Sequence, residues 1–122
     1  MKYIVLDTNF ILSCIRKKID FFNDLTFAGF SLIIPKEVVR ELEKISETGG
    51  KKFQDESKIA LSLLKKNDFK EVDLNTKNVD NGIVLFAGKN LDFIIATLDR
   101  EIKNKIKNQK LVIRGNGKLE IV

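Results

Sequence analysis

The chain has no histidine and no tryptophan, and only one cysteine, one proline and one tyrosine among its 122 residues. Without histidine there is no imidazole general base, no Ser-His-Asp triad and no His-ligated zinc site. A single cysteine excludes an internal disulfide and a thiolate cage, and a lone Cys14 suits a reducing, cytoplasmic compartment. No apolar run approaches the ~20 residues of a membrane-spanning helix. The first residues also lack the charged, apolar and small-residue succession of a secretory signal, so no membrane association is expected. The scarcity of Trp and Tyr argues against extensive base stacking. Any metal chemistry in this chain must use oxygen ligands, which points to Mg²⁺ or Mn²⁺.

What is present is enough for one core. Apolar residues make up 43% of the sequence, and the length predicts a single domain over residues 1–122. Lys and Arg number 22 against 17 Asp and Glu, a formal charge of +5, which favours a polyanionic partner. There is no internal repeat and no low-complexity tract.

The organising stretch is Tyr3-Ile4-Val5-Leu6-Asp7-Thr8-Asn9. Its apolar part is short and rich in β-branched residues, as in a buried strand, and it stops at an acid. Beyond Asp7 the apolar positions Phe10, Ile11, Cys14 and Ile15 fall on one helical face, so Asp7 stands where a strand hands over to a helix. The pattern then repeats. A short helix near 19–25, capped by Asp20, ends at Gly29, and a strand follows over Phe30–Ile34. Pro35 opens a helix to about Glu47 whose stripe is Val38, Leu42 and Ile45. A Gly-Gly-Lys-Lys loop over 46–52 predicts a mobile connection. The next helix spans about Phe53–Asn67, with Ile59, Ala60, Leu63 and Leu64 inward, before an edge strand over Phe69–Leu74. Asp80 leads a helix with Ile83, Val84 and Ala87 inward. The strand Phe93–Leu98 then ends in Asp99, and a basic helix follows from Arg100 to Asn108 with Ile102 and Ile106 inward. Leu111–Arg114 forms a last core strand, and Asn116-Gly117 can turn Lys118–Val122 back on it as a hairpin. Strands alternating with helices predict a three-layer α/β/α sandwich around a parallel sheet.

Ligand sites in such sheets lie beyond the carboxyl ends of the strands. Asp7 and Asp99 each follow an apolar strand; Glu41 lies two turns into the helix after the second strand, and Asp80 starts the helix before the Asp99 strand. Each has an ordinary alternative. Asp7, Asp80 and Asp99 can all be helix caps, and Glu41 can be a solvated helix glutamate. Taken together they can meet at one rim, where mutual repulsion favours a divalent cation able to polarise a phosphodiester.

Four segments resemble the motifs of the PIN domain family, in order and over nearly the whole chain: Ile4-Val5-Leu6-Asp7-Thr8-Asn9, Pro35-Lys36-Glu37-Val38-Val39-Arg40-Glu41-Leu42, Asp80-Asn81-Gly82-Ile83-Val84-Leu85-Phe86-Ala87, and Ile95-Ala96-Thr97-Leu98-Asp99-Arg100-Glu101-Ile102. The resemblance implies a parallel sheet ordered 3-2-1-4-5 and a metal-dependent endoribonuclease. It implies that Asp7, Glu41, Asp80 and Asp99 hold Mg²⁺ or Mn²⁺, with Thr8, Asn9 and Thr97 orienting them. Two branches of the family compete. The VapC-type toxins imply an antitoxin partner and often a homodimer. The rRNA-processing nucleases imply a ribosome-assembly partner, and the runs Ala96–Lys107 and Ile19–Phe22 lean towards that branch.

From Asp99 to Lys118 there are seven basic residues and two acids. Arg100, Lys103, Lys107 and Lys110 are candidates for holding RNA phosphates beside the acidic rim, as are Lys51, Lys52 and the run Arg16-Lys17-Lys18. The ordinary alternative is a solvated helix face. Two other functions stay open: an RNA-binding or assembly module with little catalysis, and a phosphohydrolase with Asp7 as nucleophile. Asn9 weighs against the latter, because it stands where such enzymes place a second acid.

Overall fold

The computed structural model describes residues 2–122. Twelve elements follow one another: β1 (Lys2–Leu6), α1 (Thr8–Arg16), α2 (Phe21–Phe27), β2 (Phe30–Pro35), α3 (Lys36–Thr48), α4 (Lys51–Lys66), β3 (Lys70–Val72), α5 (Val79–Lys89), β4 (Ile94–Ala96), α6 (Arg100–Lys105), β5 (Lys110–Ile113) and β6 (Leu119–Ile121). The sheet order is β3-β2-β1-β4-β5-β6. The first five strands are mutually parallel and β6 returns antiparallel on β5, so the expected sandwich is present with a hairpin at one edge.

The sheet is covered on both faces, which explains why its central strands read as unbroken apolar runs. Successive side chains point to opposite sides. Ile4, Leu6, Leu32, Ile34, Ile94 and Ala96 enter one core, roofed by α1, α2, α3 and α4. Val5, Ile33 and Ile95 enter the other, beneath Ile83 and Ala87 of α5 and Ile102 of α6. No helix among the described residues is long and apolar enough to cross a membrane.

Several local expectations are corrected. The loop at 46–52 shrinks to Gly49 and Gly50, since α3 runs to Thr48 and α4 begins at Lys51. The two helices pack together across this short link, and the Gly49 amide donates to the Ile45 carbonyl at 2.9 Å. Packing of α4 on α3 and α1 turns Ser57, Ala60 and Leu64 inward and leaves Ile59 exposed. The last strand before Asp99 stops at Ala96, so Thr97 and Leu98 intervene between strand and acid. Finally, α6 stops at Lys105 rather than continuing to Asn108.

Asn108 explains that early stop. Its side chain is buried, and its Nδ2 donates to the carbonyls of Ala87 (3.2 Å), Asn90 (2.9 Å) and Phe93 (2.9 Å). One amide thus ties the end of α5 to the turn entering β4. Asn108→Ala removes the one amide these three carbonyls share, although Ala87 and Asn90 still accept the Asn90 and Phe93 amides. It should cost about 1–3 kcal/mol, measured as a lower urea midpoint with an unchanged denaturant slope.

Candidate functional site

The site grows from the end of β1. Leu6 pairs with Ala96 in register, and the Asp7 amide donates to the Ala96 carbonyl at 3.1 Å, so Asp7 and Thr97 leave the sheet side by side. The Thr97 hydroxyl donates to Asp7 Oδ2 at 3.0 Å and accepts the Asp99 amide at 3.1 Å. One buried hydroxyl therefore sets the positions of two acids. The other Asp7 oxygen accepts the Thr8 amide at 2.7 Å.

Capping and site-building are not exclusive here. Asp7 caps α1. Asp99 caps α6, and it does so through Oδ1 alone, which accepts the amides of Glu101 (2.8 Å) and Ile102 (3.4 Å). Each carboxylate oxygen has two lone pairs, so both residues retain acceptor capacity. Asp80 differs, because Asn78 is the cap of α5 and accepts the Asn81 amide at 3.1 Å. Asp80 sits in the first turn, free of capping duty.

Glu41 is brought near by its neighbour one turn earlier. Glu37 is buried and its Oε1 accepts the Leu74 amide at 3.1 Å, tying α3 to the segment that leads into α5. Glu41, exposed, faces the same rim. Sequence pattern alone does not distinguish these two glutamates, which share a helix face.

The electrostatics record the convergence. Burial pushes the Asp7 carboxyl up to about 6; its bonds from Thr8 and Thr97 oppose the rise, and the charges of Asp80 and Glu41 add to it. Asp80 is also raised, by desolvation and then by Asp99, Glu41 and Glu101, with Lys105 opposing. The charges of Asp80 and Glu41 thus reach Asp7, and those of Asp99, Glu41 and Glu101 reach Asp80.

The spacing is open. Among the described residues no group of three or more acids is gathered tightly enough to grip one ion directly. An all-oxygen donor set of this kind fits Mg²⁺, which usually keeps several waters and takes one or two carboxylates. The buried Thr8 Oγ1, next to Asp7, has no hydrogen-bond partner among the described residues, which also fits a ligand or water at the rim. Asn9 is exposed beside it.

The basic candidates divide. Lys52 lines a groove with Asn9 and Asp99, whereas Lys51 pairs with Asp55 at 3.4 Å. Arg100 and Lys107 are exposed, Lys103 is half-buried, and Lys110 Nζ donates to the Ile106 carbonyl at 3.2 Å. The lysine lining the small recess of Asp80, Asp99 and Glu101 is Lys105, which the sequence reading did not single out. On the other flank, Arg40, Lys44 and Lys77 surround Glu41 in a cleft of about 380 Å³. Lys44 was legible as the i+3 neighbour of Glu41 on its helix; Arg40, next to Glu41 in the chain, and Lys77, from a different segment, left no signal.

A mostly parallel α/β sheet with converging acids at the carboxyl end of its central strands defines a carboxylate-site α/β domain. The family model of the PIN like domain matches residues 4–115, and the chain belongs to that family. Ribonuclease VapC4 of Methanocaldococcus jannaschii is 30% identical over 127 aligned positions, covering 99% of this chain and 97% of that protein. The rRNA-processing protein fcf1 of Schizosaccharomyces pombe is 30% identical over 110 positions, covering 86% of this chain but 53% of that protein. The solved PIN domain endonuclease Utp24 has a TM-score of 0.78 at 27% identity, covering 98% of this chain and 90% of that one.

Proposed function

We propose that this protein is a metal-dependent endoribonuclease that hydrolyses RNA phosphodiester bonds at the Asp7, Glu41, Asp80 and Asp99 rim. The observation that carries the reading is that ionisation of Asp7 and Asp80 is opposed first by desolvation and then by the charges of neighbouring rim acids, a cost that a divalent cation relieves. The four carboxylates would hold Mg²⁺ or Mn²⁺, with Thr8, Asn9 and Thr97 orienting them. When bound, such an ion supplies an activated water and charge stabilisation at the leaving oxygen. The chain's own residues do the rest. Thr97 holds Asp7 and the Asp99 backbone in register, and Glu37 keeps the α5 entry against α3. Arg40, Lys44, Lys77 and Lys52 offer cations to the strand on either side of the rim.

Two substrate classes follow from the relatives. Processing of rRNA, with a ribosome-assembly partner, is supported by the likeness to the rRNA-processing protein fcf1, and endonuclease chemistry by the likeness to Utp24. A VapC-type toxin, with an antitoxin partner, is supported by the end-to-end match to VapC4. Incubation of a mixed RNA pool with EDTA, Mg²⁺ or Mn²⁺ tests the shared chemistry. Cleavage is expected only with a metal ion. Tight RNA binding without turnover in either metal would overturn it and leave an RNA-binding module.

A further inference from the structure

A second feature adjoins the acidic rim. Between α1 and the first turn of α4 runs a groove of about 470 Å³, whose walls include Asn9, Arg16, Lys52, Phe53, Leu98 and Asp99. That size lies in the ~300–1,000 Å³ range of small-ligand clefts. Asp99 belongs both to this groove and to the recess it shares with Asp80, so whatever fills the groove abuts the candidate reaction centre.

The groove is apolar where it is open. Phe53 is 47% exposed and Leu98 39% exposed, and both large side chains face the same space. The Phe53 ring is also flanked by a fixed cation. The Arg16 guanidinium is held by Glu56 through two 2.9 Å hydrogen bonds, Nε to Oε2 and Nη2 to Oε1, and lies 5.7 Å from the ring centroid. A two-pronged pair of this kind orients the planar guanidinium rather than leaving it to sweep through solvent. Lys52 stands beside the ring with no carboxylate ion pair among the described residues.

We propose that this groove is a nucleobase subsite: one unpaired base of the RNA strand stacks on Phe53 and Leu98, Lys52 takes its phosphate, and Asn9 meets the base edge. An aromatic ring with an ordered guanidinium and an exposed lysine, next to a carboxylate centre, matches how single-stranded nucleic acid is held. The proposal deepens the ribonuclease reading by placing one base of the substrate on Phe53, yet its test is independent of cleavage.

The test is binding of a fluorescein-labelled single-stranded RNA decamer in EDTA. Phe53→Ala should weaken binding about 5- to 100-fold, while Phe27→Ala, removing another exposed ring (93% exposed), should leave it unchanged. Phe53→Trp should retain binding. Because the chain has no tryptophan, its indole emission reports the subsite directly and should be quenched by single-stranded RNA but not by duplex RNA or inorganic polyphosphate. Wild-type affinity in Phe53→Ala, or equal quenching by polyphosphate, would overturn the subsite. Unquenched indole with RNA bound would do so too, and would leave the groove to a peptide partner. Cleavage without these effects sinks only the subsite; these effects without metal-dependent cleavage sink only the nuclease.

Discussion

Asp7→Asn should abolish RNA cleavage and, in the absence of metal, make the protein more stable. Both effects come from the same carboxylate. Asp7 is buried, and the charges of Asp80 and Glu41 add to the cost of ionising it, so its carboxyl rises from an ordinary 3.8 to about 6. A raised carboxyl binds its proton more tightly in the folded chain than in the unfolded one. Between about pH 4 and 6 the folded state therefore holds more protons, and stability falls as pH rises through that window. Above it the penalty is fully present, on the order of 3 kcal/mol for a shift of this size. Asparagine removes the charge yet keeps an oxygen for the Thr8 amide. The metal-free variant should melt several degrees above wild type at pH 7. The difference should vanish near pH 4, and Mg²⁺ or Mn²⁺ should raise the wild-type melting temperature more than the variant's. Cleavage should drop at least ~100-fold, about 3 kcal/mol of transition-state stabilisation. Equal melting temperatures in EDTA at pH 7 would show that burial of Asp7 carries no electrostatic cost.

Gly82→Ala should damage both stability and activity, although alanine is the better helix former. Gly82 lies in α5 two residues after Asp80, and its bare Cα packs against the incoming segment. A methyl there would come within 2.3 Å of Thr76 Cγ2 and 3.1 Å of Leu74 Cβ and Cδ1. Thr76 cannot simply swing aside. Its hydroxyl donates to the Asn78 carbonyl (3.1 Å) and accepts the Asn78 amide (3.2 Å), and Asn78 is the cap of the same helix. The helix must move instead, taking Asp80 with it. The expected cost is about 1–3 kcal/mol of stability and, for a shift near 1 Å at the rim, roughly 100-fold in turnover. Gly88→Ala is the matched control in the same helix, with nothing within 4 Å of the added methyl. It should stabilise by about 0.5–1 kcal/mol and leave turnover alone. Chemical denaturation and cleavage assays on the two variants separate close packing from helix propensity.

The elements most legible from the sequence were those whose pattern is local. β1 and its terminal acid, the Asp20 cap and the Asn116-Gly117 hairpin each rest on a few adjacent residues and are present as expected, while Pro35 ends β2 and caps α3 from one residue before its first turn. The misreadings occurred where a distant partner overrides local preference. Gly49-Gly50 reads as a loose loop, but packing of α4 against α3 makes it a two-residue link. Ile59 reads as core because its neighbours are apolar, yet the tertiary face of α4 is set by Ser57, Ala60 and Leu64. Asn108 reads as the polar end of a basic helix, and only the carbonyls of α5 and the β4 entry draw it inward.

The sequence by itself determined the fold class, because apolar runs of strand length alternating with helical stripes have few other packings, and it restricted any metal ligands to oxygen donors, because there is no His and only one Cys. Which acids would be free was decided by the tertiary structure. Asn78 takes the capping role from Asp80, Glu37 is spent on the Leu74 amide while Glu41 is left at the rim, and the Thr97 hydroxyl joins Asp7 to the Asp99 backbone. Those assignments depend on hydrogen bonds between groups up to 90 residues apart. Hydrophobic periodicity is a property of neighbours in the chain; the partnering of a buried carboxylate is a property of neighbours in space.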